Sequence, residues 1–152
     1  MTMYFVQHGL ALAKEIDANR PLSAEGRKDV ERISAYLKKV GITVKTVCHS
    51  GKERAQETAQ IFADQIGDGR LSELSGMSPN DNVEEFATSL KDDTMYVGHL
   101  PHVGKLVSYL ITGDECAEVV KFTNGGIVCV EKDSAGFHIE WYLKPSIIIS
   151  DN

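Results

Sequence analysis

The sequence predicts an α/β protein in three layers, a mainly parallel mixed sheet flanked by helices. Two observations carry this expectation. Short apolar runs of strand character alternate with amphipathic stretches of helical period up to about Gly113, which is the pattern of βαβ units. Beyond Gly113 come three apolar runs, 119–122, 127–131 and 137–143, the last two joined by Asp133-Ser134-Ala135-Gly136. That segment reads as a hairpin, so part of the sheet is expected to be antiparallel. With 152 residues, 42% of them apolar, the chain has the size of one ordinary domain, and 1–152 is read as a single unit.

Each element has its own signal. The first strand is expected over 3–7. A polar loop through Asp17, Asn19 and Arg20 leads to Pro21-Leu22-Ser23, where Ser23 is positioned to cap a helix ending near Lys39. Val30, Ile33, Leu37 and Val40 form its apolar face, and Gly41 stops it. A second strand over 44–49 precedes Ser50-Gly51 and a helix over 52–66, with Ala55, Thr58, Ala59, Phe62, Ala63 and Ile66 on one side. Residues 71–82 are rich in Ser, Gly, Pro and Asn and read as a loop, and 83–91 as a short helix. A buried strand is expected over 94–97. The turn Gly98-His99-Leu100-Pro101 then opens a helix that turns Val103, Leu106, Val107, Leu110 and Ile111 inward.

Charge and cysteine content narrow the function classes. A formal charge of -6 disfavours nucleic acid and anionic membrane as partners, since both select a basic surface. Cys48, Cys116 and Cys129 have neither disulfide nor metal spacing and read as reduced, buried thiols. No basic leader and no run of about 18 apolar residues appears, so a cytoplasmic location is expected. The run Ile147-Ile148-Ile149 fits either a cover for a sheet edge or a subunit contact, and the oligomeric state is left open.

The chemistry-bearing residues fall at element boundaries. Gln7-His8-Gly9 ends the first strand, Arg20 precedes the first helix, Ser50 follows the second strand, Arg54 opens the second helix and His99 follows a later strand. In an α/β sheet such positions converge on the crevice outside the carboxyl ends of the strands. Two histidines and two arginines with no neighbouring carboxylate form an anion site, and a phosphoryl group, which Arg grips in bidentate fashion, is its usual occupant. Taken singly, the residues have blander readings. Arg20 also fits a helix cap or a pair with Asp17, Arg54 a pair with Glu53 or Glu57, and Gln7 an ordinary strand residue. His49 and His138 read as structural, and His102 as a solvated residue in a helix's first turn.

Four motifs in order, Gln7-His8-Gly9, Arg20-Pro21-Leu22-Ser23, Ser50-Gly51-Lys52-Glu53-Arg54-Ala55-Gln56-Glu57-Thr58-Ala59 and Gly98-His99-Leu100-Pro101, give the chain a resemblance to the histidine phosphatase superfamily. Within it the chain is similar to the small SixA-type phosphohistidine phosphatases. The resemblance implies a phosphoglycerate mutase-like fold and a covalent mechanism. His8 would attack phosphorus, Arg54 and His99 would hold the phosphoryl oxygens, Arg20 would close the pocket, Gly9 would let the backbone approach, and Ser50 would donate a hydrogen bond. It implies no cofactor and no metal, with a phosphorylated protein or small phosphorylated molecule as partner. Two positions depart from the pattern: Gln7 stands where the family has Arg, and Gly51 where it has Pro. No carboxylic acid stands out as proton donor to a leaving group, with Glu73, Asp81 and Glu84 in the loop region, which favours a phosphoramidate such as phosphohistidine over an ester. A phosphate-binding module with weakened catalysis and a small-molecule phosphomonoesterase are the alternatives.

Overall fold

The computed structural model describes residues 1–149; 150–152, the end of the expected tail, lie outside the described residues. The chain runs β1 (Thr2–Gln7), α1 (Ala24–Lys39), β2 (Thr46–His49), α2 (Glu53–Ile66), β3 (Ser72–Glu73), α3 (Val83–Ala87), β4 (Thr94–Gly98), α4 (His102–Thr112), β5 (Ile127–Asp133) and β6 (Gly136–Leu143), then a 3-10 turn over Pro145–Ile147. One six-stranded sheet has the order β3-β2-β4-β1-β5-β6. Pairs β3/β2, β2/β4 and β4/β1 are parallel, and β1/β5 and β5/β6 antiparallel. The sheet is thus mixed and flanked by helices on both faces, as the sequence predicts.

Alternation along β1 divides the core in two. Tyr4 and Val6 join Val30, Ile33 and Leu37 of α1 and Ala55, Ala59 and Phe62 of α2, whereas Met3 and Phe5 face Val83 and Phe86 of α3 and Val103, Leu106 and Val107 of α4. A strand covered on both faces must be apolar on both, which is why the first and fourth strands read as continuous apolar runs. Fully burying one such side chain contributes about 1.5–3 kcal/mol. Ser23 caps α1 as expected, its Oγ accepting from the Gly26 amide at 2.9 Å, and Gly41 follows the helix at φ +86°. Val40, expected on the apolar face, is 52% exposed because it lies past the last helical residue.

Several boundaries differ from the sequence reading. Residues 44 and 45 do not join β2, because their amides donate to the Ile66 and Asp93 carbonyls. The short helix stops at Ala87, where the Thr88 and Ser89 hydroxyls turn back onto the Glu85 and Phe86 carbonyls. Residues 119–122 form no strand: the Val119 amide donates to Ser108 Oγ of α4, and the backbone crosses outside the ladder while Phe122 packs inward on Tyr142. A two-residue strand, β3, lies inside the expected loop. It pairs with β2, and Ser72 and Glu73 are both exposed, so no apolar alternation announced it.

The Ile run lies against α1 rather than along a sheet edge. Arg32 of α1 donates to the Pro145 carbonyl through Nη2 at 3.0 Å, and Ile148 packs on the core while Ile147 and Ile149 are exposed. Cys48 and Cys129 are buried and free, whereas Cys116 is exposed, contrary to its expected burial. Among the described residues no helix is long and apolar enough to cross a membrane.

Candidate active site

The carboxyl ends of the parallel strands β1, β2 and β4 lie side by side, and the three residues that follow them are His8, Ser50 and His99. His8 is 8% exposed, and its Nδ1 donates to the Gly9 carbonyl at 2.7 Å. That bond fixes the Nδ1–H tautomer and leaves the Nε2 lone pair free. Burial, together with the Arg54 and Arg20 charges, brings the His8 pKa down to about 4 against the raising effect of the Gly9 bond. The ring is therefore neutral at neutral pH, with a nucleophilic nitrogen.

His99 lies opposite, the two ring centres 5.1 Å apart and tilted by 50°. Only 1% of it is exposed, and burial, helped by His8, Arg54, Lys52 and His102, lowers its pKa to about 3. Its Nε2 is hydrogen-bonded to Ser50 Oγ at 2.5 Å, and its Nδ1 is buried without a partner. Arg54, in the first turn of α2, has a buried Nε that is likewise unpartnered, and burial and the Arg20 charge depress its pKa. The carboxylate that could have paired with it is committed elsewhere: Glu57 accepts from Arg27 at 2.7 Å and from the Leu22 amide at 2.8 Å. Arg20 reaches the same region from the loop before α1, at φ +48°, its Nε on the Leu12 carbonyl. The partnerless Arg54 Nε and His99 Nδ1, with the Arg20 guanidinium beside them, make a pocket suited to an anion.

Gln7 and Gly9 flank His8. Gln7 is 8% exposed and its Oε1 is buried without a partner. Gly9 has a packing reason to be glycine: a Cβ there would lie 2.8 Å from Val30 Cγ2 and 3.1 Å from Leu22 Cδ2, so α1 rather than a ligand occupies that space. Its amide donates to Thr58 Oγ1, which in turn donates to the Arg54 carbonyl at 2.7 Å. Thr58 thereby ties the loop after His8 to the helix that carries Arg54, a role hidden in the sequence because Thr58 also falls on the apolar face of α2.

Two further polar residues adjoin this centre. The Glu73 carboxylate lies over Gly51, where a Cβ would come within 2.6 Å of its Oε1. The expectation of a site without a nearby carboxylate is corrected by this contact, which depends on the short strand β3 that no sequence signal revealed. Asn124 Nδ2 donates to the His8 carbonyl at 3.4 Å, and the Gly125 amide donates to the carbonyls of Gln7 and His8. His102 is buried, not solvated, with its ring edge against Phe86. Among the described residues no group of His, Cys, Asp or Glu is arranged to hold a metal ion.

Known proteins share the fold that carries these residues. In fold the chain is similar to the protein histidine phosphatase SixA complexed with tungstate, with a TM-score of 0.84 over 96% of this chain and 98% of that one at 24% identity. A protein from Agrobacterium tumefaciens assigned as phosphohistidine phosphatase SixA gives 0.78, covering 95% and 97%, at 19% identity. The alpha-ribazole phosphatase of Shigella flexneri gives 0.77, covering 99% and 100%, at 14%. No curated protein matches the sequence. These neighbours share the phosphoglycerate mutase-like architecture. The model of the histidine phosphatase superfamily, branch 1, matches residues 3–95, more than half of the chain and the part that carries His8, Arg20 and Arg54, so the chain belongs to that superfamily.

Proposed function

We propose that the protein is a metal-independent phosphatase that forms a covalent phosphohistidine on His8 and acts on phosphohistidine in a signalling or phosphotransfer protein. The observation that carries this reading is the pairing of a neutral His8, its Nε2 free and its tautomer set by the Gly9 carbonyl, with the partnerless Arg54 Nε and His99 Nδ1. Nε2 attacks phosphorus as the bond to the leaving nitrogen breaks, and water then hydrolyses the phosphohistidine to return His8 and release phosphate. Arg54, Arg20 and His99 hold the phosphoryl oxygens, with Gln7 and Ser50 at their side. A phosphorylated imidazole leaves readily once its other nitrogen is protonated, so the leaving group makes little demand on the protein. A cytoplasmic location is part of the same proposal.

One observation favours a second reading. The Glu73 carboxyl group over Gly51 is one that, as the carboxylic acid, would give a departing alkoxide its proton, which supports a phosphomonoesterase. The test is phosphate release from a phosphohistidine peptide and from an alkyl phosphate under metal-free conditions, in the natural chain, His8→Ala and Glu73→Gln. The first reading expects phosphohistidine turnover that His8→Ala abolishes and Glu73→Gln leaves within a factor of about two. A selective loss of ester cleavage in Glu73→Gln, with esters the faster substrates, moves the second reading ahead. Phosphate binding without turnover in the natural chain would reduce the protein to a binding module.

A further inference from the structure

The turn between β2 and α2 carries the Ser50 that touches His99, and it is held by a side chain that takes no part in the chemistry above. His49 is the last residue of β2 and 4% exposed. Its Nδ1 accepts from the Gly51 amide at 3.0 Å. An imidazole nitrogen accepts only when it carries no proton, so His49 stands as the Nε2–H tautomer. Gly51 itself sits at φ +94°, a conformation that glycine adopts without strain. Ser50 lies between the two clamped residues, and its Oγ meets His99 Nε2 at 2.5 Å.

The neighbours of this clamp are equally specific. Glu73 is the β3 register partner of His49, and the Leu74 amide donates to the His49 carbonyl at 2.9 Å, so β3 fixes the imidazole's backbone from the far side. A proline at position 51 has no amide hydrogen and could not donate to His49. A Cβ there would make the exposed Glu73 side chain turn aside, and at φ +94° it would strain the backbone. Glycine at 51 and histidine at 49 therefore belong together: the first supplies the donor and the left-handed backbone, the second the acceptor.

We infer that His49 is a positioning residue whose unprotonated Nδ1 clamps the Ser50-Gly51 turn and, through Ser50 Oγ, sets the orientation of the His99 ring in the phosphoryl pocket. Without the clamp, Gly51 leaves the turn free to rotate, Ser50 leaves His99, and the ring's Nε2 loses its hydrogen-bond partner. The kinetic consequence rests on the phosphatase reading, while the structural one stands apart from it. Misplacing a single stabilising group by about 1 Å costs up to about 100-fold in rate, so a loss of about tenfold or more in kcat, with KM nearly unchanged, is expected.

The experiment compares the full-length natural chain, His49→Leu and His49→Asn by side-chain 15N NMR and by hydrolysis of phosphoramidate. Asn bears an acceptor oxygen on Cγ, as histidine bears Nδ1. The expected result is an unprotonated His49 Nδ1 in the natural chain, displaced His99 ring signals and the kcat loss in His49→Leu, and recovery of both in His49→Asn. A protonated Nδ1 in the natural chain overturns the inference. So do His99 signals and kcat that stay unchanged in His49→Leu. Should His49→Leu not fold, the tautomer in the natural chain and the His99 signals of His49→Asn decide the matter. An inactive natural chain refutes the phosphatase reading alone, because the tautomer and the His99 signals are read without turnover.

Discussion

A carboxamide at position 7 presents two donor hydrogens where a guanidinium presents five, and it brings no charge. The consequence has two signs. Without an anion, arginine at 7 would add a third cation beside the half-buried Arg54 and Arg20, where burial and then the Arg20 charge already depress the Arg54 pKa. With an anion bound, the same group adds a charge-assisted hydrogen bond of about 1.5–3 kcal/mol. Gln7→Arg is therefore expected to lower the melting temperature without phosphate and to tighten phosphate binding by about tenfold or more. Calorimetric titration and thermal denaturation with and without phosphate check both halves, and unchanged phosphate affinity would show that position 7 does not face the anion. At this scale His8, Arg54 and His99 were legible because each sits in a short motif at an element boundary. Thr58 and Glu73 were not, the first masked by its place on an apolar helix face, the second because its position depends on a two-residue strand.

The contact between the loop after β1 and the start of α1 shows how an element constrains the site. A Cβ on Gly26 would strike the Leu10 carbonyl oxygen, and Ser23 donates to that same oxygen through both its amide and its hydroxyl. Gly26→Ala would gain up to about 1 kcal/mol in helix propensity and lose about 1–3 kcal/mol to overpacking against backbone that has nowhere to move. Sterics prevail, so the variant is expected to be less stable in chemical denaturation. Its phosphate affinity is also expected to fall, since the displaced loop leads to Arg20. A Gly26→Ala variant as stable as the natural chain would mean that the loop is free to withdraw. The helices α1, α2 and α4 were readable from their period and the buried strands from their apolar runs. Segment 119–122 misled because Phe122 alone of the four is buried, and packing among the α4 residues and on Tyr142 satisfies it without a place in the sheet.

Over the whole molecule, the two neutral histidines couple the site to global stability. Their pKa values fall from 6.5 to about 4 for His8 and about 3 for His99 on folding, so between these limits the unfolded chain binds more protons than the folded one. Stability is then fully present above about pH 6.5 and is lost as pH falls toward 4 and below. His8 alone accounts for a loss of about 3 kcal/mol at the acid limit. A bound phosphate favours the protonated rings and opposes that loss. Melting temperature is expected to decline from pH 6.5 to pH 4, less steeply with phosphate present and less steeply in His8→Ala. A slope identical in all three conditions would trace the acid loss to other groups, the buried His49 and His102 among them. The layered architecture was legible because β1 is apolar on both faces. The strand order was not, since the ladder that places β4 between β1 and β2 consists of backbone hydrogen bonds common to every strand.

Arg20 holds a left-handed backbone, φ +48°, which costs a residue with a Cβ about 1–2 kcal/mol. Asparagine tolerates that conformation better but has no guanidinium to offer an anion. Arg20→Asn is therefore expected to raise the denaturation midpoint while weakening phosphate binding about tenfold, both read in one titration series. At this position selection for persistence of the folded chain and selection for grip on its ligand pull in opposite directions.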